Sequence, residues 1–255
     1  MFFDVLTHPT IDGQWLNGAE GQTFEHSSRL VKSEGLVGAC AVGLPSVGSY
    51  EPETYFREAV RNDFLPVAGF TARNQREVLP DLELIRDIGY RVVKIHPRLL
   101  GYHDKPELLQ DVLTAAHALD LKVMLCTYPA NQAGFLPTYD MFDVLSNSLN
   151  ATPELSLLLV HGGVTDLLRY SLLARHCMNV FLDLSFTLMR YRKSSVGLDM
   201  KFVLEQLDQK TCIGSDHPEY SFSEVCSTLE GLTGSLPNDK RANALYRTAI
   251  KFLGI

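Results

Sequence analysis

The sequence has 255 residues, a length that suits one β/α barrel, so we expect one domain over residues 1–255. Hydrophobic residues make up 45% and charged residues 21%, which excludes a disordered chain. The net charge of −7 is spread along the sequence without a basic block. We therefore expect a small-molecule partner, and neither nucleic acid nor a membrane surface.

Apolar segments alternate along the chain with turns and stretches of helical spacing, which is the pattern of parallel βα units. The eight predicted strands cover residues 2–9, 36–45, 64–72, 90–98, 121–129, 154–163, 179–185 and 211–218. Several are nearly continuous in Val, Leu, Ile and Cys, as expected for strands covered on both faces. The sequence predicts a (β/α)8 TIM barrel, with a doubly wound open sheet as the alternative.

Helical spacing fills the gaps between these strands. We predict one helix from Pro80 to Gly89, one after Pro106, one capped by Thr165 and a last one over residues 242–254. Two longer connections, residues 128–153 and 186–200, are expected over the C-terminal mouth, where barrel sites form.

The cysteine pattern bears on the cellular compartment. Five cysteines make an odd number without close pairs, as in a protein with reduced thiols. The N-terminal segment lacks the features of a signal peptide, and no apolar run reaches the ~18 residues of a membrane span. We expect a cytoplasmic protein.

Polar residues collect at the ends of the predicted strands, where side chains surround the mouth of such a barrel. They are His8, His96, Cys126, His161, Asp183, Ser185 and Asp216. Strand alternation places Lys94, His96 and Arg98 on one face, and Cys126 and Tyr128 on another.

In order, the segments FDVLTHP, VVKIHP, VMLCTYP, LLLVHGG, VFLDLS, IGSDHP and NALYRTAIKFLG span nearly the whole chain. This ordered set resembles the amidohydrolase-related family of metal-dependent hydrolases and decarboxylases. The resemblance implies a substrate-polarising histidine at His161 and a base at Asp216. The sequence departs from the family at Leu6 and Cys126, where histidines are expected.

The resemblance also implies a divalent metal. A thiolate can bind Zn²⁺. His8, Cys126 and Asp216 could therefore form a zinc site with fewer ligands than the family uses. The alternative is that the histidines are buried remnants of a metal site and that Cys126 is a small core residue.

Further side chains are candidates for substrate binding. Lys94 and His96 could bind a carboxylate or an oxyanion, although Lys94 could instead pair with Asp4 or Asp183. Arg98, Tyr128 and Ser185 complete the predicted substrate-binding set. We expect His217 to lie at the surface or in a loop.

Three functions follow from these patterns. The first is a hydrolase acting on a small, anionic amide, ester or lactone, with or without metal. The others are a decarboxylase, and a barrel that binds a metabolite without catalysis. A homodimer is expected by analogy with related barrels.

Overall fold

The computed structural model describes residues 1–45, 47–129 and 136–255, and these contain eight parallel strands in sequence order. They are β1 (Phe3–Thr7), β2 (Gly38–Val42), β3 (Leu65–Gly69), β4 (Val92–Ile95), β5 (Lys122–Cys126), β6 (Leu157–Val160), β7 (Val180–Asp183) and β8 (Thr211–Cys212). Each strand pairs with the next, as in the predicted barrel.

The first and last strands close the cylinder. The Val5 amide donates to the Ile213 carbonyl at 3.1 Å, and the Asp216 amide donates to the Leu6 carbonyl at 2.8 Å. A doubly wound sheet has two free edges and no such hydrogen bonds. The TIM-barrel prediction is therefore confirmed, and the open-sheet alternative is wrong.

Strand alternation separates two apolar layers. On β5, Val123 and Leu125 pack in the layer between sheet and helices, whereas Met124 packs in the barrel interior. Because both faces are covered, all three side chains are fully buried. Burial of each contributes roughly 1.5–3 kcal/mol, so the continuous apolar strands stabilise both layers together.

The described residues form twelve α-helices around this sheet. They are α1 (Phe24–Ser33), α2 (Pro52–Arg61), α3 (Gln75–Ile88), α4 (Pro97–Leu100), α5 (Pro106–Ala118), α6 (Met141–Ala151), α7 (Leu167–His176), α8 (Thr187–Arg190), α9 (Val196–Gln206), α10 (Phe222–Thr233), α11 (Asn238–Ala242) and α12 (Thr248–Leu253). A π-helical segment, Asn243–Arg247, joins the last two helices. None of these helices combines the length and apolar character required to cross a bilayer.

Two predicted helix starts are wrong. Helix α3 begins at Gln75, because the Asn74 side chain caps it by accepting the Arg76 amide at 3.1 Å, and Pro80 lies inside the helix. Helix α7 begins at Leu167, and Thr165 lies within the preceding 3-10 segment.

The long connections carry helices of their own. The first contains α6, and its residues 130–135 lie outside the described part of the chain. The second contains α8 and the start of α9.

Ser215 supports the closure of the barrel. Its hydroxyl donates to the buried Asp4 carboxyl group and accepts the His217 amide at 3.0 Å. We expect Ser215→Ala to lower the free energy of unfolding by about 1–3 kcal/mol, because it leaves buried polar groups without partners. Urea denaturation measures this. The exposed Ser33→Ala serves as the control, and an equal effect of both variants would contradict the assignment.

Candidate active site

A cavity of about 320 Å³ opens at the C-terminal mouth of the barrel. Its walls include His8, His96, Arg98, Tyr128, His161 and Asp216, all of which were predicted as site residues. Lys94, Cys126 and Ser185 are also buried, but they lie behind this lining rather than on it. The fold therefore brings the predicted histidines and the aspartate to one pocket.

His8 and Asp216 face each other across the junction of the first and last strands. The His8 Nδ1 atom lies 2.8 Å from the Val42 carbonyl oxygen. Since a carbonyl can only accept, Nδ1 carries a proton, and Nε2 is the atom that lies 3.4 Å from Asp216 Oδ1. The Trp15 ring stacks on His8 at 5.4 Å between ring centroids, which fixes the imidazole plane.

The electrostatics of Asp216 favour its carboxylate form. Burial by itself raises its pKa, but the hydrogen bond from His8 and the positive charges of His161, His8 and Lys94 outweigh burial. The pKa of Asp216 therefore lies well below its ordinary value. Asp216 is ionised at neutral pH, next to an imidazole.

His161 is held from several sides. Its backbone amide donates to Asp183 Oδ2 at 3.3 Å, and the Thr187 hydroxyl donates to its carbonyl at 2.7 Å. Its Nδ1 lies 3.1 Å from both the carbonyl oxygen and the hydroxyl oxygen of Ser185. The Ser185 hydroxyl donates to Asp183, so it accepts from Nδ1–H. This arrangement leaves Nε2 of His161 for contacts toward Cys126 and the pocket.

Cys126 lies between two histidines. Its side chain is fully buried, and the imidazoles of His96 and His161 are close enough to affect its pKa. Burial raises the pKa of its thiol, but the two imidazoles outweigh burial and hold it well below the ordinary value. Burial opposes protonation of His161, whereas the hydrogen bond to Cys126 favours it, and the net pKa of His161 is raised. Burial lowers the pKa of His96 to about 4, so this imidazole is neutral. Cys126 is therefore a buried residue whose neighbours include two imidazoles.

The residues present do not fit the divalent metal that the resemblance implied. Across residues 1–45, 47–129 and 136–255, no three His, Cys, Asp or Glu side chains converge to hold an ion. Leu6 packs among apolar residues inside the barrel, where the resemblance would place a histidine. His8 and Asp216 remain as two adjacent donors, fewer than a zinc site requires.

Lys94 is buried below the pocket, and its amine has no hydrogen-bond partner within the described chain. The alternative pairing with Asp4 or Asp183 is not seen as a hydrogen bond in the described structure, although Asp183 acts on Lys94 electrostatically. Asp4 accepts hydrogen bonds from Leu6 and Ser215 instead, and Asp183 accepts from Ser185 and His161. Burial lowers the pKa of Lys94, while the nearby anionic groups oppose this effect. An unpaired buried amine is available to an anion in the site above it.

Arg98 adds a second cationic group. Its guanidinium lies 5.1 Å from the centre of the Tyr128 ring, and its Nε is buried without a hydrogen bond to any described residue. Both side chains line the pocket.

His217 lies in the loop after β8, as expected, but it is not at the surface. Its ring is buried and stacks on Phe222 at 4.5 Å, because the backbone hydrogen bonds that close the barrel carry it inward. Burial lowers its pKa to about 4.

Sequence reasoning missed six residues of the pocket wall: Trp15, Leu16, Leu44, Leu99, Phe186 and Glu219. Trp15 is the only tryptophan of the chain, and it follows the first strand, which is a usable signal. Phe186 has a φ of 60°, a backbone strain that the sequence does not reveal.

Replacement of Cys126 tests the electrostatics of His161. We expect Cys126→Ser to lower the pKa of His161, because the thiolate that stabilises its imidazolium is removed. NMR titration of the histidine ring signals measures this shift, with Cys226→Ser on α10 as the control. An unchanged His161 pKa in Cys126→Ser would contradict the described pairing.

No family model matches the sequence, and no curated protein matches it either. Solved structures share the fold over nearly the whole chain. An uncharacterized TIM-barrel protein from Bordetella bronchiseptica has a TM-score of 0.80 at 19% identity, covering 99% of this chain and 98% of that chain. A candidate amidohydrolase from Staphylococcus aureus has a TM-score of 0.69 at 14% identity, with 100% and 99% covered.

A candidate metal-dependent hydrolase from Lactobacillus casei has a TM-score of 0.61 at 12% identity, with 99% and 95% covered. At these identities the likeness concerns the fold. The chain is thus a TIM barrel whose structural neighbours include amidohydrolases and metal-dependent hydrolases, and the resemblance noted in the sequence is confirmed at the level of the fold.

Proposed function

We propose that the protein is a hydrolase of amidohydrolase type that acts on a small, anionic amide, ester or lactone. One observation carries the proposal: the ionised Asp216 lies 3.4 Å from His8 and shares a pocket with His161. Attack of water on a carbonyl group requires a proton acceptor and a proton donor in the same cavity. The amidohydrolase among the structural neighbours supports the reaction class.

Asp216 activates water with the help of His8. A carboxylate with a low pKa orients water well but is a weak base on its own. Nδ1–H of His8 donates to the Val42 carbonyl, which directs Nε2 toward that carboxylate. As water attacks, Asp216 accepts its proton, while the contact with His8 holds the carboxylate in position.

His161 stabilises the oxygen of the carbonyl group under attack. Although burial opposes it, the pKa of His161 is raised overall, which favours the protonated ring, and Nδ1 is occupied by Ser185. Nε2–H, directed toward Cys126 in the resting site, turns to the oxyanion as negative charge develops. A donor that is already fixed before the reaction requires little reorganisation. This preorganisation is the main source of the stabilisation of an oxyanion.

The cationic groups favour an anionic substrate. Arg98 lies on the pocket wall, and the unpaired amine of Lys94 lies beneath it. Guanidinium groups bind carboxylates through paired hydrogen bonds, and a buried amine lacking a partner gains free energy from a nearby anion. His96, Tyr128 and Ser185 complete the predicted set, with Ser185 acting through its contact to His161.

Replacement of Asp216 tests the proposed base. A panel of lactones, esters and amides with and without a carboxylate identifies the substrate, and we expect the anionic members to be preferred. With that substrate, Asp216→Asn should lower kcat by about 10²–10⁴, because the amide cannot accept the proton of water.

The exposed Asp166→Asn, outside the pocket, is the matched control. Turnover that survives in Asp216→Asn would remove Asp216 from its proposed role. Ligand binding without turnover across the whole panel would favour the barrel that binds a metabolite without catalysis.

Removal of metal tests whether hydrolysis proceeds without a metal ion. Since the described donors do not form a metal site, we expect dialysis against EDTA to leave turnover unchanged and added zinc to bring no increase. Elemental analysis of the purified protein gives the metal content. About one zinc per chain, lost together with activity on EDTA treatment, would overturn hydrolysis without metal.

A further inference from the structure

A second cavity of about 540 Å³ adjoins the reactive pocket. Leu16, His96 and Leu99 belong to the walls of both cavities, so a ligand can extend from one into the other. The larger cavity lies over the ends of β2 and β3, on the side away from His161 and Asp216.

The walls of the second cavity are mainly apolar. They include Pro45, Val47, Phe70 and Leu100. Tyr50 also contributes its ring, while its hydroxyl is occupied by the amide and the carbonyl of Gly69. Apart from the exposed Arg73, no described wall residue of this cavity carries a full charge at neutral pH, since His96 is neutral. Such a lining suits an uncharged group.

His96 marks the junction. It is 6% exposed, and its Nδ1 has no hydrogen-bond partner among the described residues. A buried ring nitrogen without a partner is costly unless a ligand supplies one. Its position on both cavities places it beside the atoms that link the two halves of a bound molecule.

We infer that the second cavity binds an uncharged alkyl or aryl arm of the substrate, several carbons long, and that His96 contacts the polar link to the reacting group. The inference rests on the proposed function and adds the substrate class to it. The substrate is an anionic amide, ester or lactone with an apolar arm. Arg98 holds the anionic part in the reactive pocket, and the arm lies against Phe70 and Leu99.

Binding of carboxylates of increasing length tests this without any turnover. The probes are the straight-chain acids from acetate to octanoate, together with 4-phenylbutyrate. The readout is the fluorescence of Trp15, the only tryptophan, which lines the reactive pocket. We expect the affinity to rise about fourfold for each methylene group that enters the second cavity. Alkylammonium ions of equal length should not bind, because they lack the group that Arg98 recognises.

A variant that fills the cavity gives the matched comparison. Thr71 is exposed and borders the second cavity only, so Thr71→Phe should abolish the gain with chain length and leave acetate binding unchanged. Thr114→Phe, on the exposed face of α5, is the control and should behave like the wild type. Thermal unfolding verifies that both variants fold. The wild-type series tests the dependence of affinity on chain length even without them.

The outcomes separate the two proposals. Affinity that does not rise with chain length in the wild type, or rises equally in Thr71→Phe, overturns the apolar subsite even if hydrolysis is found. Affinity that rises as expected, in a protein that hydrolyses none of the panel, supports the subsite and overturns the proposed reaction.

Discussion

The site depends on a carboxyl group buried inside the barrel. Asp4, on the first strand, accepts the amides of Leu6 at 3.0 Å and Ser215 at 2.9 Å, and it also accepts the Ser215 hydroxyl. It thereby ties the segment after the short eighth strand to the first strand. The next residue is Asp216, so the same contacts that close the cylinder place its carboxylate beside His8.

The seventh strand has the same arrangement of hydrogen bonds. Asp183 accepts the amide of Ser185, two residues along, at 3.0 Å, just as Asp4 accepts that of Leu6. Its second oxygen contacts the backbone of His161 and the Ser185 hydroxyl. Burial raises the pKa of Asp4 to about 7 and also raises that of Asp183, and each carboxyl group accepts hydrogen bonds from amide and hydroxyl donors.

The cations of the barrel are consequently left for the ligand. Lys94 has no carboxylate partner in the described structure, because Asp4 and Asp183 are occupied by hydroxyl and amide donors. Arg98 adds a guanidinium on the pocket wall, where Asp216 and Glu219 contribute carboxyl groups.

Much of this could be predicted from the sequence. The eight apolar segments determined the barrel, because parallel strands buried on both faces need continuous Val, Leu and Ile. The end of a parallel strand is also a fixed place in a barrel, so His8, His161 and Asp216 could be assigned to one mouth. Leu6 in place of a histidine already indicated that the metal ligands are incomplete.

Only the tertiary structure decided which polar groups pair. Nothing local to Lys94 shows that its expected partners are bound to serines, nor does the sequence around His217 reveal that barrel closure buries its ring. Trp15 reaches His8 across a loop, and the second cavity arises where the segments after the first four strands meet. These features depend on distances between residues far apart in the chain, whereas strand and helix patterns depend on neighbours. For that reason the sequence determined the architecture and the location of the site, and the packed barrel decided its electrostatics and its shape.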